Sequence, residues 1–277
     1  MSAIDALRAA LGGAGSTRTL TLDPAFGGLP DTAHGGSVLA AFDALAGRVG
    51  PRTVRGQYLK RVPLGAPLAV RVAREGTSAR FTLLDGAATL VNGAVEDAGA
   101  APGHTVAPPP AGALPLPISR GCFACGTDNP LGLGVQLRAD DTTVGATWTP
   151  RSGFRREDGT LTPLALTTLL DEAAFWLGAL ATGESGMTTE LRVTLHAKAT
   201  AEEAITVGGA RADVRPRADD ARYWDTAITA CDPAGRLVAS AAITFVAVRG
   251  AARRLATGML AVNDAAILRR VFPAYVQ

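Results

Sequence analysis

The stretch HGGSVLAAFDALAG, residues 34–47, decides the fold. Its apolar residues recur at helical spacing, and so many positions are apolar or small that the predicted helix needs cover on nearly all sides. The two glycines at its start leave the first backbone N–H groups of that helix open to close approach. Such a helix predicts a curved antiparallel sheet that wraps around it.

The segments around this helix predict a sheet of that kind, and the same order of segments occurs twice in the chain. TRTLTL alternates like a strand before the helix, and four further β segments punctuated by Gly and Pro follow it. The same order returns in the second half, where PLALTTLLDEAAFWLGAL, residues 163–180, replaces the helix. The predicted strands after the two helices are TVRGQYLKRV, APLAVRVAREG, ARFTLLDG and ATLVNGAVE, and then TTELRVTLHA, AITVGGARADV, RYWDTAITACD and RLVASAAITFVAV. The sequence therefore predicts an α+β fold of two tandem repeats, each an antiparallel sheet wrapped around a central helix.

Composition marks the boundary between the repeats. Residues 99–118 are rich in Ala, Pro and Gly without any period, which is typical of a linker. We expect a first domain over residues 1–98 and a second over residues 119–252. The remaining tail, residues 253–277, contains NDAAILRRVFPAYVQ, which predicts a short amphipathic helix.

Composition also excludes several classes of protein. Of 277 residues, 47% are hydrophobic, which is enough for substantial cores. The 27 Lys and Arg residues against 25 Asp and Glu residues give a net charge of +2 without a dense basic run, so nucleic acid is not an expected partner. The chain shows neither a long uncharged apolar run nor a secretory signal, so we expect a cytoplasmic protein without a membrane partner.

Cys122 and Cys125 have the spacing of a zinc ligand pair. A structural zinc site needs four ligands, and no second pair stands at a suitable spacing. Cys231 and the histidines are distant in sequence. We therefore predict no metal, and thiols packed as small apolar groups in a reducing compartment.

Two of these stretches resemble a known family. CFACGTDNPLGLGVQLRA, residues 122–139, resembles the segment found at the start of many PaaI-like hotdog thioesterase domains, and the His-Gly-Gly stretch resembles that of the same superfamily. Together with the repeat, the resemblance implies a double-hotdog pseudo-dimer laid out like the TesB-like acyl-CoA thioesterases. It implies hydrolysis of acyl-CoA or a carrier-bound acyl group, with coenzyme A present only as part of the substrate and no other cofactor.

The resemblance also implies where the chemistry takes place. A glycine N–H at the start of the first helix polarises the thioester, and a carboxylate on the facing helix acts as the base. Gly36 is the expected oxyanion donor, supported by His34, with Gly35 beside the substrate. Asp171 is the expected base, because burial on an apolar helix would raise its pKa toward a useful range.

Further residues are expected to contact the substrate. Glu172 is the alternative carboxylate, and Thr189, with Thr188 beside it, stands where related enzymes keep a hydroxyl that orients water. Charged loop ends could meet the phosphates of coenzyme A. The candidates are Lys60, Arg61, Arg155 and Arg156.

Only one of the two pseudo-symmetric sites is expected to work. Thr162 and Pro163 stand where the first repeat has His34 and Gly35, and a proline has no N–H to offer. Asp43, the counterpart of Asp171, would then face a helix end without partner groups or lie in solvent.

Two other functions and the oligomeric state stay open. A hotdog dehydratase or hydratase acting on 3-hydroxyacyl thioesters would use His34 and Asp171 on one carbon pair, although the longer hydratase loop motif is absent. A non-catalytic protein that binds an acyl group or another small ligand is favoured by the lost second site and by Ile243, which stands where TesB-like enzymes carry a glutamine. One chain already makes the hotdog pair, and further association into a homodimer is the expectation.

Overall fold

The computed structural model describes residues 1–277, and its elements alternate in the predicted order. The first half contains α1 (Ala3–Ala10), β1 (Leu11–Ala14), β2 (Thr17–Leu20), α2 (Gly35–Ala46), β3 (Arg52–Tyr58), β4 (Leu68–Glu75), β5 (Ser78–Asp85) and β6 (Ala88–Asp97). The second half contains β7 (Leu114–Pro115), β8 (Arg138–Ala139), β9 (Thr143–Trp148), α3 (Pro163–Thr182), β10 (Gly186–Leu195), β11 (Ile205–Ala210), β12 (Arg215–Pro216), β13 (Tyr223–Cys231), β14 (Leu237–Ala247), α4 (Ala251–Met259) and α5 (Ala265–Val271).

The two halves have the same strand order. In the first half neighbouring strands follow β2-β4-β5-β6-β3, and in the second half they follow β9-β11-β13-β14-β10. The strands β3 and β10 pair antiparallel, with Val54 opposite Val193, and this pairing joins the halves into a single 14-stranded sheet. The predicted α+β class is confirmed.

Each central helix begins and ends where its sequence dictates. His34 caps α2, whereas α3 begins with Pro163, the position at which a missing N–H costs nothing. Gly47 and Gly183 end the two helices in the left-handed conformation, which glycine adopts without strain. By length and composition α3 could cross a membrane, but here it is buried as a core helix under β10, β13 and β14.

The two helices touch near Gly36. The Thr167 hydroxyl donates to the Gly36 carbonyl oxygen at 2.8 Å, and a Cβ atom on Gly36 would lie only 2.5 Å from the Thr167 carbonyl oxygen. The atoms that this Cβ would meet belong to the backbone of α3, so a side-chain rotation cannot relieve the contact. Glycine is therefore required at this position for packing.

Replacing Gly36 by Ala is expected to lower the free energy of unfolding by about 1–3 kcal/mol or more, since overpacking forces a helix to shift. Urea unfolding followed by circular dichroism measures the effect. The matched control is Gly12→Ala on β1, where the added Cβ would have its nearest neighbour at 3.8 Å and should change little. Equal stability of the two variants would contradict the packing role.

The segments outside the repeats pack onto them. In the predicted linker, Val106 donates its N–H to the Thr229 hydroxyl at 2.9 Å, and β7 pairs with β8. At the carboxyl end Asp264 caps α5, and Phe272 packs against Trp176 of α3 with ring centroids 6.3 Å apart. The tail therefore packs against the second central helix at Trp176.

Candidate active site

A cavity of about 480 Å³ lies between the two repeats. Both repeats and the tail contribute to its walls: the start of α2, the end of β3, the middle of α3, the start of β10, and α4. Its apolar wall residues include Leu29, Phe175, Met187, Val246, Leu255 and Met259. The cavity therefore has an apolar wall and reaches the amino end of α2.

Asp171 lies at the polar end of this cavity and is buried. Its Oδ2 accepts hydrogen bonds from the Gly36 N–H at 3.0 Å and from His34 Nδ1 at 3.1 Å, and its Oδ1 accepts from the Thr188 hydroxyl at 2.7 Å. Burial alone would raise the pKa of Asp171, but these hydrogen bonds and the charge of His34 outweigh burial and lower it. The expected upward shift is therefore wrong, and Asp171 is present as a carboxylate.

His34 is held between two carboxylates. Nδ1 faces Asp171, and Nε2 lies 3.4 Å from Glu172 Oε2. Burial would lower the pKa of His34, but its hydrogen bonds to both carboxylates hold it well above 6.5. Both ring nitrogens lie against carboxylate oxygens, an arrangement that favours the protonated ring. The Gly36 nitrogen lies 3.0 Å from Asp171 Oδ2 and 3.2 Å from His34 Nδ1, so its N–H is shared between the two groups.

The open N–H at the start of α2 belongs to Gly35. Its N–H has no acceptor within the protein, and Gly35 lines the cavity, whereas Gly36 does not. Tyr58 fixes this turn by donating its hydroxyl to the Gly35 carbonyl oxygen at 2.6 Å. The expectation that Gly36 is the oxyanion donor is corrected, because Asp171 already occupies its N–H.

The hydroxyl on Asp171 comes from Thr188. Thr189 instead donates to the Thr244 carbonyl oxygen at 3.2 Å, because it is the extra residue at a bulge in the pairing of β10 with β14. Both threonines line the cavity, but it is the hydroxyl of Thr188, and not that of the expected Thr189, that contacts Asp171.

Thr188→Val is expected to reduce kcat/KM for a thioester substrate about 10- to 100-fold, since it removes a hydrogen bond to a charged group. Thr189→Val, the matched control one residue further on, should stay within about two-fold of the parent, because its hydroxyl bonds only the backbone. Steady-state kinetics on both variants decides between them, and a larger loss in Thr189→Val would contradict the assignment.

The cationic candidates divide into two groups. Lys60 and Arg61 line the cavity, together with Arg217, which the sequence did not indicate. Arg155 and Arg156 do not line it, because they lie in the turn before α3, and Arg155 pairs there with Glu202. The structure therefore places these two arginines outside the cavity in which they were expected.

Other neighbours of the site were not anticipated. Glu172 lines the cavity, accepts a hydrogen bond from Trp176 Nε1 at 2.9 Å, and lies 3.4 Å from His34 Nε2. Cys122 and Cys125 are buried as expected, but they also line the cavity. Ile243 is buried in β14 away from it, and the glutamine that does line the cavity is Gln57.

At the matching position of the first repeat, a buried ion pair replaces the set of contacts found around Asp171. Asp43 occupies the helix position that corresponds to Asp171, and Arg52 follows Gly47 at the spacing at which Thr188 follows Gly183. Arg52 Nε and Nη2 donate to the two Asp43 carboxylate oxygens at 2.5 and 2.7 Å. The sequence had suggested that Asp43 lies in solvent or faces a helix end without partner groups. Instead, Asp43 is buried and paired with Arg52.

Comparisons with known proteins establish the fold. No family model and no curated protein matches the sequence. A solved structure from Thermobifida fusca YX, provisionally described as a thioesterase II, is 18% identical with a TM-score of 0.63, covering 90% of this chain and 100% of its own. A protein of unknown function with a hot dog fold from Alicyclobacillus acidocaldarius is 15% identical with a TM-score of 0.61, covering 89% and 97%.

A third similar structure carries a specific name. The acyl-CoA thioesterase II TesB2 of Mycobacterium marinum is 13% identical with a TM-score of 0.57, covering 86% of this chain and 95% of its own. At this level of identity the likeness concerns the fold. The protein therefore has the hotdog fold, and one chain supplies both hotdog units.

Proposed function

We propose that this protein hydrolyses acyl thioesters in the cavity between its repeats. The observation that carries the proposal is one open backbone N–H, that of Gly35, beside a buried carboxylate, Asp171, that lines the same cavity. A thioester carbonyl needs a donor for its developing negative charge and a base for the attacking water. The cavity offers both groups: the Gly35 N–H at the start of α2, and the Asp171 carboxylate of α3, which contacts the same first turn of α2.

The chemistry follows from these two groups. The carbonyl oxygen of the substrate accepts a hydrogen bond from Gly35, and the positive end of α2 adds to the stabilisation as water attacks the carbonyl carbon. Asp171 accepts the proton of that water on Oδ1, which has Thr188 as its only donor. The C–S bond then breaks, the proton passes to the leaving thiolate, and a carboxylic acid and a free thiol result.

Acyl-CoA is the proposed substrate. Lys60, Arg61 and Arg217 line the cavity with cationic groups suited to the phosphates of coenzyme A, while the apolar wall suits an acyl chain. The reaction as written consumes only water and the thioester.

A dehydratase reaction is less well supported by the geometry. Abstraction of a proton beside the carbonyl would need a neutral imidazole with a free nitrogen. Both nitrogens of His34 face carboxylates, so neither is free to take a proton from a substrate, and the ring serves to hold Asp171.

The test is the release of free coenzyme A from short, medium, long and aromatic acyl-CoA esters, measured by chromatography. Release by the parent protein supports hydrolysis, and its dependence on the acyl group defines the preferred chain. Hydration of an enoyl-CoA without thiol release would support the dehydratase instead. A folded protein that releases nothing and retains a ligand through purification would show a binding protein.

A further inference from the structure

Three side chains with metal-binding atoms meet beside the candidate active site, and a fourth, Cys125, stands next to one of them. The ligand atoms of His34, Cys122 and Glu172 all lie within 4.8 Å of one another, and the three residues are buried. The Cys125 thiol is not within that distance of all three, but it neighbours the Cys122 thiol on the same turn. Sequence spacing had provided only the cysteine pair, and the fold adds an imidazole and a carboxylate from distant segments.

The ring of His34 is oriented as in a metal ligand. Its Nδ1–H is bonded to Asp171 Oδ2 at 3.1 Å, which leaves Nε2 directed toward Glu172 and the thiols. Histidines that bind metals typically donate their other ring N–H to a carboxylate in this way. Glu172 Oε1 accepts from Trp176, while Oε2 has only the 3.4 Å contact with His34 and so keeps coordination capacity.

The cysteine turn is built to present its sulfur atoms. Ala124 donates its N–H to Cys122 Sγ at 3.3 Å, a contact that favours the thiolate form. Gly126 closes the turn with an N–H bond to the Cys122 carbonyl oxygen at 2.9 Å, and a Cβ there would come within 2.2 Å of that oxygen. Phe123 anchors the turn to the first repeat through an N–H bond to the Gly27 carbonyl oxygen at 2.7 Å.

We propose that Cys122, Cys125, His34 and Glu172 together bind one Zn²⁺ ion. Two sulfurs, one imidazole nitrogen and one carboxylate oxygen form a four-ligand set that suits tetrahedral zinc. Binding releases one proton from each thiol and one from His34 Nε2, while the Nδ1–H bond to Asp171 is kept. The ion fastens the first repeat, the cysteine turn and α3 to one another, and it fixes the ring that holds Asp171.

The experiment measures metal in the full-length protein. Protein purified without chelator is analysed for zinc by mass spectrometry, and Co²⁺ is then substituted and followed by its ligand-field and thiolate charge-transfer absorption. We expect about one zinc per chain in the parent and in Cys231→Ser, whose thiol lies outside the group. Cys122→Ser should keep only the Cys125 contribution to the charge-transfer intensity and should lose at least about 100-fold in Zn²⁺ affinity.

A second variant covers the case in which Cys122→Ser fails to fold. Glu172→Gln keeps an acceptor for Trp176 and should still weaken Zn²⁺ binding about 10-fold or more. Reduced parent protein that binds neither Zn²⁺ nor Co²⁺ at micromolar concentration would overturn the proposal, as would a Cys122–Cys125 disulfide in protein prepared under reducing conditions. Because metal content is measured without substrate, a zinc-bound protein that hydrolyses nothing would contradict only the proposed function.

Discussion

Replacing Asp171 by Asn is expected to reduce kcat/KM for acyl-CoA hydrolysis by about 10²- to 10⁴-fold, the usual contribution of a positioned general base. The amide can keep a contact with Thr188, but it cannot take a proton from water at neutral pH. His34 keeps Glu172 as a partner, so we expect the variant to remain folded at the assay temperature.

The measurement compares Asp171→Asn with Glu190→Gln, which makes the same isosteric change at an exposed carboxylate lining the same cavity. Circular dichroism and thermal unfolding confirm that both variants are folded. Loss of turnover in both variants to the same extent would point to the charge of the cavity as a whole. Full activity in Asp171→Asn would contradict the assignment of Asp171 as the general base.

Replacing Asp43 by Asn is expected to lower the free energy of unfolding by about 3–5 kcal/mol. The change leaves the buried guanidinium of Arg52 without its carboxylate, and an uncompensated buried charge is costly. Urea denaturation measures the loss. At temperatures at which the variant is folded, we expect kcat/KM to stay within about two-fold of the parent, since Asp43 does not line the cavity.

A double variant separates the cost of the buried charge from the loss of the ion pair. Asp43→Leu combined with Arg52→Met replaces both partners by apolar side chains of similar length, and such replacements are often neutral or stabilising. We expect it to recover most of the lost stability. A double variant as unstable as Asp43→Asn would show that the pair stabilises the fold by more than mutual neutralisation.

The sequence was most informative where one apolar pattern dominates. The run at residues 34–47 predicted α2 almost to the residue, and the repeated order of strands predicted the sheet. By contrast, α1 and α4 are amphipathic but have only 8 and 9 residues, so their helical pattern extends over little more than two turns. The capping box formed by Ser2 and Asp5 was a readable start signal for α1.

For the site, the sequence predicted which residues come together better than it predicted which of their atoms make the contacts. His34, Gly35 and Asp171 do meet, but whether Gly35 or Gly36 offers its N–H depends on a carboxylate far away in the chain. Thr188 and Thr189 are chemically alike, and a bulge decides which of them faces Asp171. No local pattern could bring Cys122 to His34, because only the folded chain places the cysteine turn against the first repeat.

The two hotdog units belong to one chain, and the pairing of β3 with β10 also joins them by hydrogen bonds into one sheet. In a symmetric pair of identical chains, every substitution is made twice, so a change that helps one site must be tolerated in the other. A fused pair is free of that restriction. Here one helix start keeps its glycines, while the matching position near the other helix carries Arg52, a change that two identical chains could not make without placing an arginine where Thr188 stands.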